Sequence, residues 1–242
     1  MWHLSQYTPD NDTLAEKFFQ EATDLDPAVS GAYGGLAMAQ GQAPALHSPG
    51  QPETTNSVEA LVRRAIALDG ADAEARSLLS NALWRRADFE GARAEAERAL
   101  AMTPNLASAH DMLGATLIFS GRPKEGIAAL EKSIRLDPRE PRLAHRLNRL
   151  ALGLYFTREY AAAVEVANRA IRSYPDFPLA YRWLAAALGQ LGQTEEARKA
   201  LEKAIAISPT SSDMYVRDRV PWMRPEDHAH MLEGLRKAGW EG

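Results

Sequence analysis

Residues 104–138 read PNLASAHDMLGATLIFSGRPKEGIAALEKSIRLDP, and this stretch decides the fold. Its apolar residues fall at helical spacing over about 106–119 and again over 123–136. Pro123 suits the first turn of the second helix, where a missing N–H costs nothing. Pro138 stops that helix, since proline cannot donate to the preceding turn and its ring clashes there. The stretch predicts two helices joined by a short turn.

Outward from it, the pair repeats. Proline recurs at Pro27, Pro104, Pro138, Pro175 and Pro209, and Gly70 takes the same slot within Leu68-Asp69-Gly70. The intervals are 43, 34, 34, 37 and 34 residues, a period of 34 with insertions of nine and three. Other positions keep step. Five residues before each terminator stand Ala22, Ala65, Ala99, Ser133, Ala170 and Ala204. Twelve before it stand Ala15, Val58, Ala92, Gly126, Ala163 and Ala197, and eight before it Phe19, Val62, Ala96, Leu130, Ala167 and Leu201. Twenty-five before it, Leu79, Leu113, Leu150 and Leu184 align.

This register resembles the tetratricopeptide repeat, whose unit is two antiparallel helices carrying a Leu…Ala…Phe…Ala…Pro pattern. The resemblance covers about residues 1–209. It implies an all-α fold: a right-handed α-solenoid of about five and a half helix pairs, with a capping helix after it. The physical logic agrees. Small side chains let paired helices approach closely, and one pair cannot bury its apolar face alone, so pairs stack. The repeats are expected to end near 27, 70, 104, 138, 175 and 209. Their helices are expected near 12–24, 28–40, 56–68, 72–86, 89–102, 106–119, 123–136, 141–156, 160–173, 177–190 and 194–207. A stub of a further helix is expected near Trp2–Tyr7. The Pro-, Gly-, Ser- and Thr-rich stretch over about 41–56 reads as an inserted loop. Asn11-Asp12-Thr13 reads as a helix entry and Thr194 as an N-cap.

Both ends depart from the period. The first unit starts half a helix late, which reads as a cut inside a repeat or as a frayed terminus. Residues 210–242 read as a linker and a capping helix that closes the solenoid. Pro225 opens that helix, Glu226 and Asp227 suit its positive end, and Met231, Leu232 and Leu235 form a stripe. Arg236 and Lys237 suit the negative end, and Gly239 can stop it. Arg224-Pro225-Glu226-Asp227 with Leu232-Glu233-Gly234-Leu235-Arg236-Lys237-Ala238-Gly239 resembles the tail of repeat regions in proteobacterial class III adenylate/guanylate cyclases. The opening Trp2-His3-Leu4…Tyr7-Thr8…Asp12 resembles the start of the same region. The resemblance implies a regulatory or oligomerisation module of a nucleotide cyclase as an alternative function. The cyclase catalytic domain has no counterpart in these residues, so that activity is not carried over.

Composition narrows the functional classes. Without cysteine there is no disulfide, no thiolate metal site and no cysteine nucleophile. The opening residues lack the basic start and apolar run of a signal peptide, and no stretch approaches the ~20 apolar residues that cross a membrane. A cytoplasmic, bacterial signalling or scaffold protein with no membrane partner is expected. A net charge of −4 argues against general nucleic-acid binding, which depends on neutralising phosphates.

No catalytic constellation stands out, so no enzyme activity, cofactor or metal is expected. Gly31-Ala32-Tyr33-Gly34-Gly35 lacks the lysine and preceding strand of a phosphate loop and suits close helix packing. His228 and His230 point to different sides of a helix and read as exposed. His110 and Asp111, adjacent in a helix, diverge. Glu195 and Glu196 suit a helix start.

The resemblance places the ligand site in the groove lined by first helices, where peptides or partner proteins bind. By repeat offset, the candidate binding residues are Asn81, Trp84 and Arg85, then Asp111 and Phe119, then His145, Asn148 and Arg149, then Arg182; Arg146 joins them from the arginine stripe. Ser77, Ala115, Ile118, Leu152 and Gln190 share those offsets. Arg139, Arg142, Arg146 and Arg149 fall along one helical stripe. That stripe is a solvated face paired with carboxylates, an anion-recognition site for an acidic peptide or phosphate, or a nucleic-acid contact. Apolar solenoid ends offer a route to self-association.

Overall fold

The structure, a computed structural model, describes residues 9–47, 52–141, 143–209, 216–217, 219–220 and 223–241. The stub expected at Trp2–Tyr7 and the stripe residue Arg142 lie outside them. Among the described residues the chain forms twelve α-helices and no strand. They are α1 (Pro9–Leu25), α2 (Ser30–His47), α3 (Pro52–Leu68), α4 (Ala73–Arg85), α5 (Phe89–Met102) and α6 (Ala107–Phe119). There follow α7 (Pro123–Leu136), α8 (Leu143–Phe156), α9 (Tyr160–Ser173), α10 (Pro178–Gln190), α11 (Thr194–Ile207) and α12 (Pro225–Lys237). From α4 to α11 every end lies within two residues of its sequence expectation.

Three local expectations are corrected. The stretch over 41–56 is largely helical: α2 continues to His47 and α3 already starts at Pro52. Ala43, Ala45 and Leu46 are strong helix formers, and Pro52 sits where a helix tolerates proline. Asn11-Asp12-Thr13 lies inside α1, not at its entry. Gln193 is the N-cap residue of α11, and Thr194 is its first helical residue.

The chain divides into two compact units, residues 1–116 and 117–242. In the first, α1 packs on α2, α2 on α3, α3 on α4 and α4 on α5. Val62, Leu79, Ala82, Leu83 and Ala92 form its main core with Ala37. In the second, α7 packs on α8, α8 on α9, α9 on α10 and α10 on α11, and α8 also meets α10. Leu130, Leu147, Ala151, Ala167, Ala170 and Ala204 are buried there.

The repeated small residues explain this packing. Ala65, Ala92, Ala96, Ala99, Ser133, Ala163, Ala167, Ala170 and Ala197 are all fully or almost fully buried in second helices. Ser80 in α4 donates from Oγ to the Ala92 carbonyl of α5 at 2.7 Å, tying one pair together. In the first unit Gly35 admits the Phe19 ring where a Cβ would collide with it.

The turn inside each pair is also repeated. Ala87, Gly121, Arg158 and Gly192 all lie seventeen residues before a terminator, and all have positive φ (61°, 87°, 65° and 74°). The next amide in each case donates back five residues, as Asp88 to the Leu83 carbonyl (3.0 Å) and Glu159 to that of Leu154 (2.9 Å). This left-handed closure satisfies carbonyls that a helix end leaves open. It aims each second helix back along the first.

Candidate functional site

In the first unit the candidate residues sit on α4 and α6. Asn81, Trp84 and Arg85 are half-buried on one face of α4, and Asp111 is half-buried on α6. Asn81 Nδ2 lies 3.2 Å from Met112 Sδ, which brings these two first helices together. Trp84 packs against the Leu79–Leu83 core and against Ala96, Met112 and Ala115. Arg85 donates to the Gly41 carbonyl at 3.5 Å. The face is amphipathic: an aromatic wall rimmed by an amide, a guanidinium and a carboxylate. His110 is not part of it. It is buried, with Nε2 3.0 Å from the Pro104 carbonyl.

In the second unit the candidates divide. Phe119 is buried and meets Phe156 edge-to-face at 6.5 Å. His145 lies 4.6 Å from the Phe177 ring. Both are packing residues at positions the sequence reading expects in the groove. Arg149 is half-buried, whereas Arg182 is only 5% exposed. Asn148 is 8% exposed, and its Oδ1 has no hydrogen-bond partner among the described residues. A buried polar atom left without a partner is uncommon and costly.

Arg146 corrects the stripe. It is 4% exposed, donates to Glu140 Oε2 at 3.0 Å and to the Asp137 carbonyl at 3.4 Å, and lies 3.8 Å from Asp137 Oδ2. It clamps the α7–α8 turn and presents no cation to solvent. The spacing of the stripe is right, but a helix register cannot show that the preceding turn supplies two carboxylates.

The C-terminal helix supplies what the sequence reading missed. It caps the array by packing mainly on α10, with a smaller contact on α11. Arg224, its N-cap residue, chelates Asp227 at 2.7 and 2.9 Å and lies over the α6–α7 turn, where a Cβ on Gly121 would come within 2.6 Å of Nη1. Tyr155 of α8 donates to the His230 carbonyl at 2.7 Å. The Tyr155 ring stacks on His230 at 4.5 Å, and Tyr160 Oη lies 2.9 Å from His230 Nε2. At α10, Lys237 Nζ donates to Gln190 Oε1 at 2.8 Å. So α12 crosses the C-terminal ends of three successive first helices.

Two glycines make the crossing close. A Cβ on Gly234 would run into Tyr155 Oη and lie 2.7 Å from the Ala186 carbonyl. A Cβ on Gly189 would run into the Gly234 carbonyl and lie 3.2 Å from Ala238 N. Each glycine costs about 1 kcal/mol of helix propensity, a cost that direct contact of the backbones offsets. Met231, Leu235 and Ala238 are fully buried beside them. The two histidines expected on an exposed face are partly buried; His228 Nε2 lies 2.9 Å from the Val216 carbonyl. Burial chiefly, with the nearby Arg158 charge, lowers the His230 pKa from its ordinary value, against the opposing pull of Glu233 and Asp227. Burial pushes the Tyr155 phenol well above its usual pKa. The seat is therefore a neutral, aromatic one.

By repeat offset Tyr155 and Gly189 correspond to Trp84 and Ile118, and Ala186 corresponds to Asn81 and Ala115. The surface under α12 is thus made of the same positions that the sequence reading marks as binding residues.

Among the described residues no group of three or more His, Asp or Glu could hold a metal ion, and no helix is long and apolar enough to cross a membrane. The chain matches a tetratricopeptide repeat model over residues 55–107 and 148–212, and a second tetratricopeptide repeat model over 107–140. These matches together cover more than half of the sequence. No curated protein sequence matches. Among solved structures, YrrB, described as a tetratricopeptide repeat protein with an unusual peptide-binding site, is 18% identical, with 79% of this chain and 93% of that chain covered and a TM-score of 0.51. PilW, a type IV pilus biogenesis factor, is 18% identical over 87% of this chain and 89% of its own, with a TM-score of 0.63. IFIT1, solved with Gppp-AAAA, is 16% identical with a TM-score of 0.75; 97% of this chain is covered, but only 57% of that one. Likeness at this identity is likeness of fold.

Proposed function

We propose, on the premise that this chain belongs to the tetratricopeptide repeat family, that it is a non-catalytic, cytoplasmic interaction module whose first-helix faces bind a peptide or a partner protein. The observation that carries the reading is Asn148. Its amide oxygen is buried on the predicted binding face of α8 and accepts no hydrogen bond among the described residues. The atom has almost no exposed surface, so a peptide N–H reaches it only after a local shift of the Asn148 side chain. Proteins keep such locally unfavourable groups where function requires them. The half-buried Trp84, Asn81 and Arg85 give the first unit a second face of the kind that anchors partners, aromatic with polar rims.

The test exploits the cost of the orphaned group. Asn148→Leu removes a buried unsatisfied amide, so thermal stability is expected to hold or rise. Proteins retained from a source lysate by the immobilised chain, identified by mass spectrometry, are expected to fall away in this variant. Retention of the same proteins by Asn148→Leu would show that this face does not bind them.

A further inference from the structure

We propose that α12 is an intramolecular ligand. It occupies a helix-docking site on α8 and α10, and a partner's amphipathic helix of the same pattern displaces it. This rests on the interaction-module reading and names the kind of partner. The argument begins with position. α12 touches Gly121 after α6, Tyr155 in α8, and Gly189 and Gln190 in α10. A segment whose side chains and backbone reach successive first helices lies as a ligand would.

The contacts define what fits. The docked stripe is Met231, Gly234, Leu235 and Ala238, spaced for one helical face. At the centre only a glycine clears Tyr155 and the Ala186 carbonyl. Around that point the seat offers directional polar partners: the Tyr155 hydroxyl to a helix carbonyl and Gln190 to a lysine. The partner is therefore an amphipathic helix with glycine at the crossing. It carries apolar residues three before, one after and four after that glycine, and a basic residue near its C-terminal end. An interface of this composition, part apolar and part side-chain hydrogen bonds, resembles those that open and close. Helix recognition through i, i+3, i+4 anchors is an established mode.

The test uses the full chain and a fluorescein-labelled peptide of residues 223–241, followed by anisotropy. Gly234→Leu in the chain evicts its own helix and leaves the seat intact. Gly189→Leu blocks the seat for any helix. Wild type is expected to bind the peptide weakly, because the tethered helix competes at an effective concentration on the order of millimolar. Gly234→Leu is expected to bind it at least about tenfold tighter once that competitor is gone. Gly189→Leu is expected not to bind it, and a peptide carrying Gly234→Leu is expected to bind no form of the chain. A Gly234→Leu chain that binds no better than wild type, or that loses the helical signal of α1–α11 and not only that of α12, overturns the proposal and makes α12 a fixed part of the fold.

Hydrogen exchange on the wild type gives a second reading that needs no variant. Amides of 228–238 are expected to exchange through an opening that leaves α8–α11 protected; exchange of all five helices together overturns the proposal. A dimer that exchanges α12 between copies, seen by light scattering, would make a second copy the occupant and overturn the partner assignment. Lysate partners lost with Asn148→Leu but indifferent to Gly189→Leu would leave the interaction module standing and overturn this inference alone.

Discussion

At Ala87 and Arg158 an L side chain sits in the left-handed region that glycine fills at Gly121 and Gly192. A side chain there costs roughly 1–2 kcal/mol, and glycine's own entropic cost is roughly 0.5–1 kcal/mol. Ala87→Gly is therefore expected to stabilise the chain by about 0.5–1 kcal/mol, read as a raised urea midpoint with an unchanged slope. A lowered midpoint would mean that the turn is not strained. Arg146 makes the opposite case. It is buried against Glu140 and Asp137, so Arg146→Met removes a buried cation from beside two carboxylates, one of them, Glu140, only 15% exposed at its side chain, and is expected to cost about 3 kcal/mol in urea. Arg198→Met, whose pairs with Glu195 and Glu202 lie in solvent, is expected to change little. Equal losses from the two arginines would refute the buried-clamp account. Such differences are invisible in sequence spacing: Arg146 and Arg198 are both arginines on amphipathic helices, and only the fold decides which one meets solvent.

Elements are where the sequence is most legible. α4 to α11 could be placed to within two residues because each combines a periodic apolar face with a terminator that acts locally, proline or a left-handed turn. The 41–56 stretch misleads because proline and glycine break a helix only in its interior, and position within the helix is not written in composition. The seat of α12 is illegible for another reason. Tyr155 and His230 lie 75 residues apart, and neither carries a signature of the other. Their contact does predict a pH response. His230 faces Tyr155, Tyr160 and Arg158 from other elements, and Asp227, Glu233 and Lys237 from its own. Its pKa is lowered in the folded chain, so folding and docking favour the neutral ring. That contribution is fully present above the ordinary histidine value of about 6.5 and is lost as pH falls through the folded value below it. Exchange protection of α12 is expected to drop between neutral pH and about pH 5, ahead of α8–α11. In His230→Gln that drop is expected to disappear; a response that survives it would assign the titration to another group.

For the whole molecule, the governing fact is that helices pack on their sequence neighbours: α2 on α3, α4 on α5, α8 on α9, α10 on α11. Stability in such a chain is a sum of local terms with neighbour couplings, unlike the single cooperative core of a globular domain. The two compact units follow from the same locality. Leu130 of α7 and Val62 of α3 are both fully buried, one in each unit. Truncation of either to alanine removes buried methyl groups and leaves a cavity, at roughly 2–4 kcal/mol for leucine and less for valine. In a globular domain either loss would speed exchange at every core amide. Here Leu130→Ala is expected to release protection in α7–α9, with little change in α3 and α4. Val62→Ala is expected to do the reverse. Mass spectrometry of exchanged peptides reads both in one experiment. The exception should be α12, which meets the chain far from its own place in sequence and links the α6–α7 turn, α8 and α10. Its protection is expected to fall with Leu130→Ala, because the helices that seat it then open more often. A uniform loss across both units would show that one cooperative body underlies the array, and would remove the physical basis for a helix that leaves its seat while the rest stays folded.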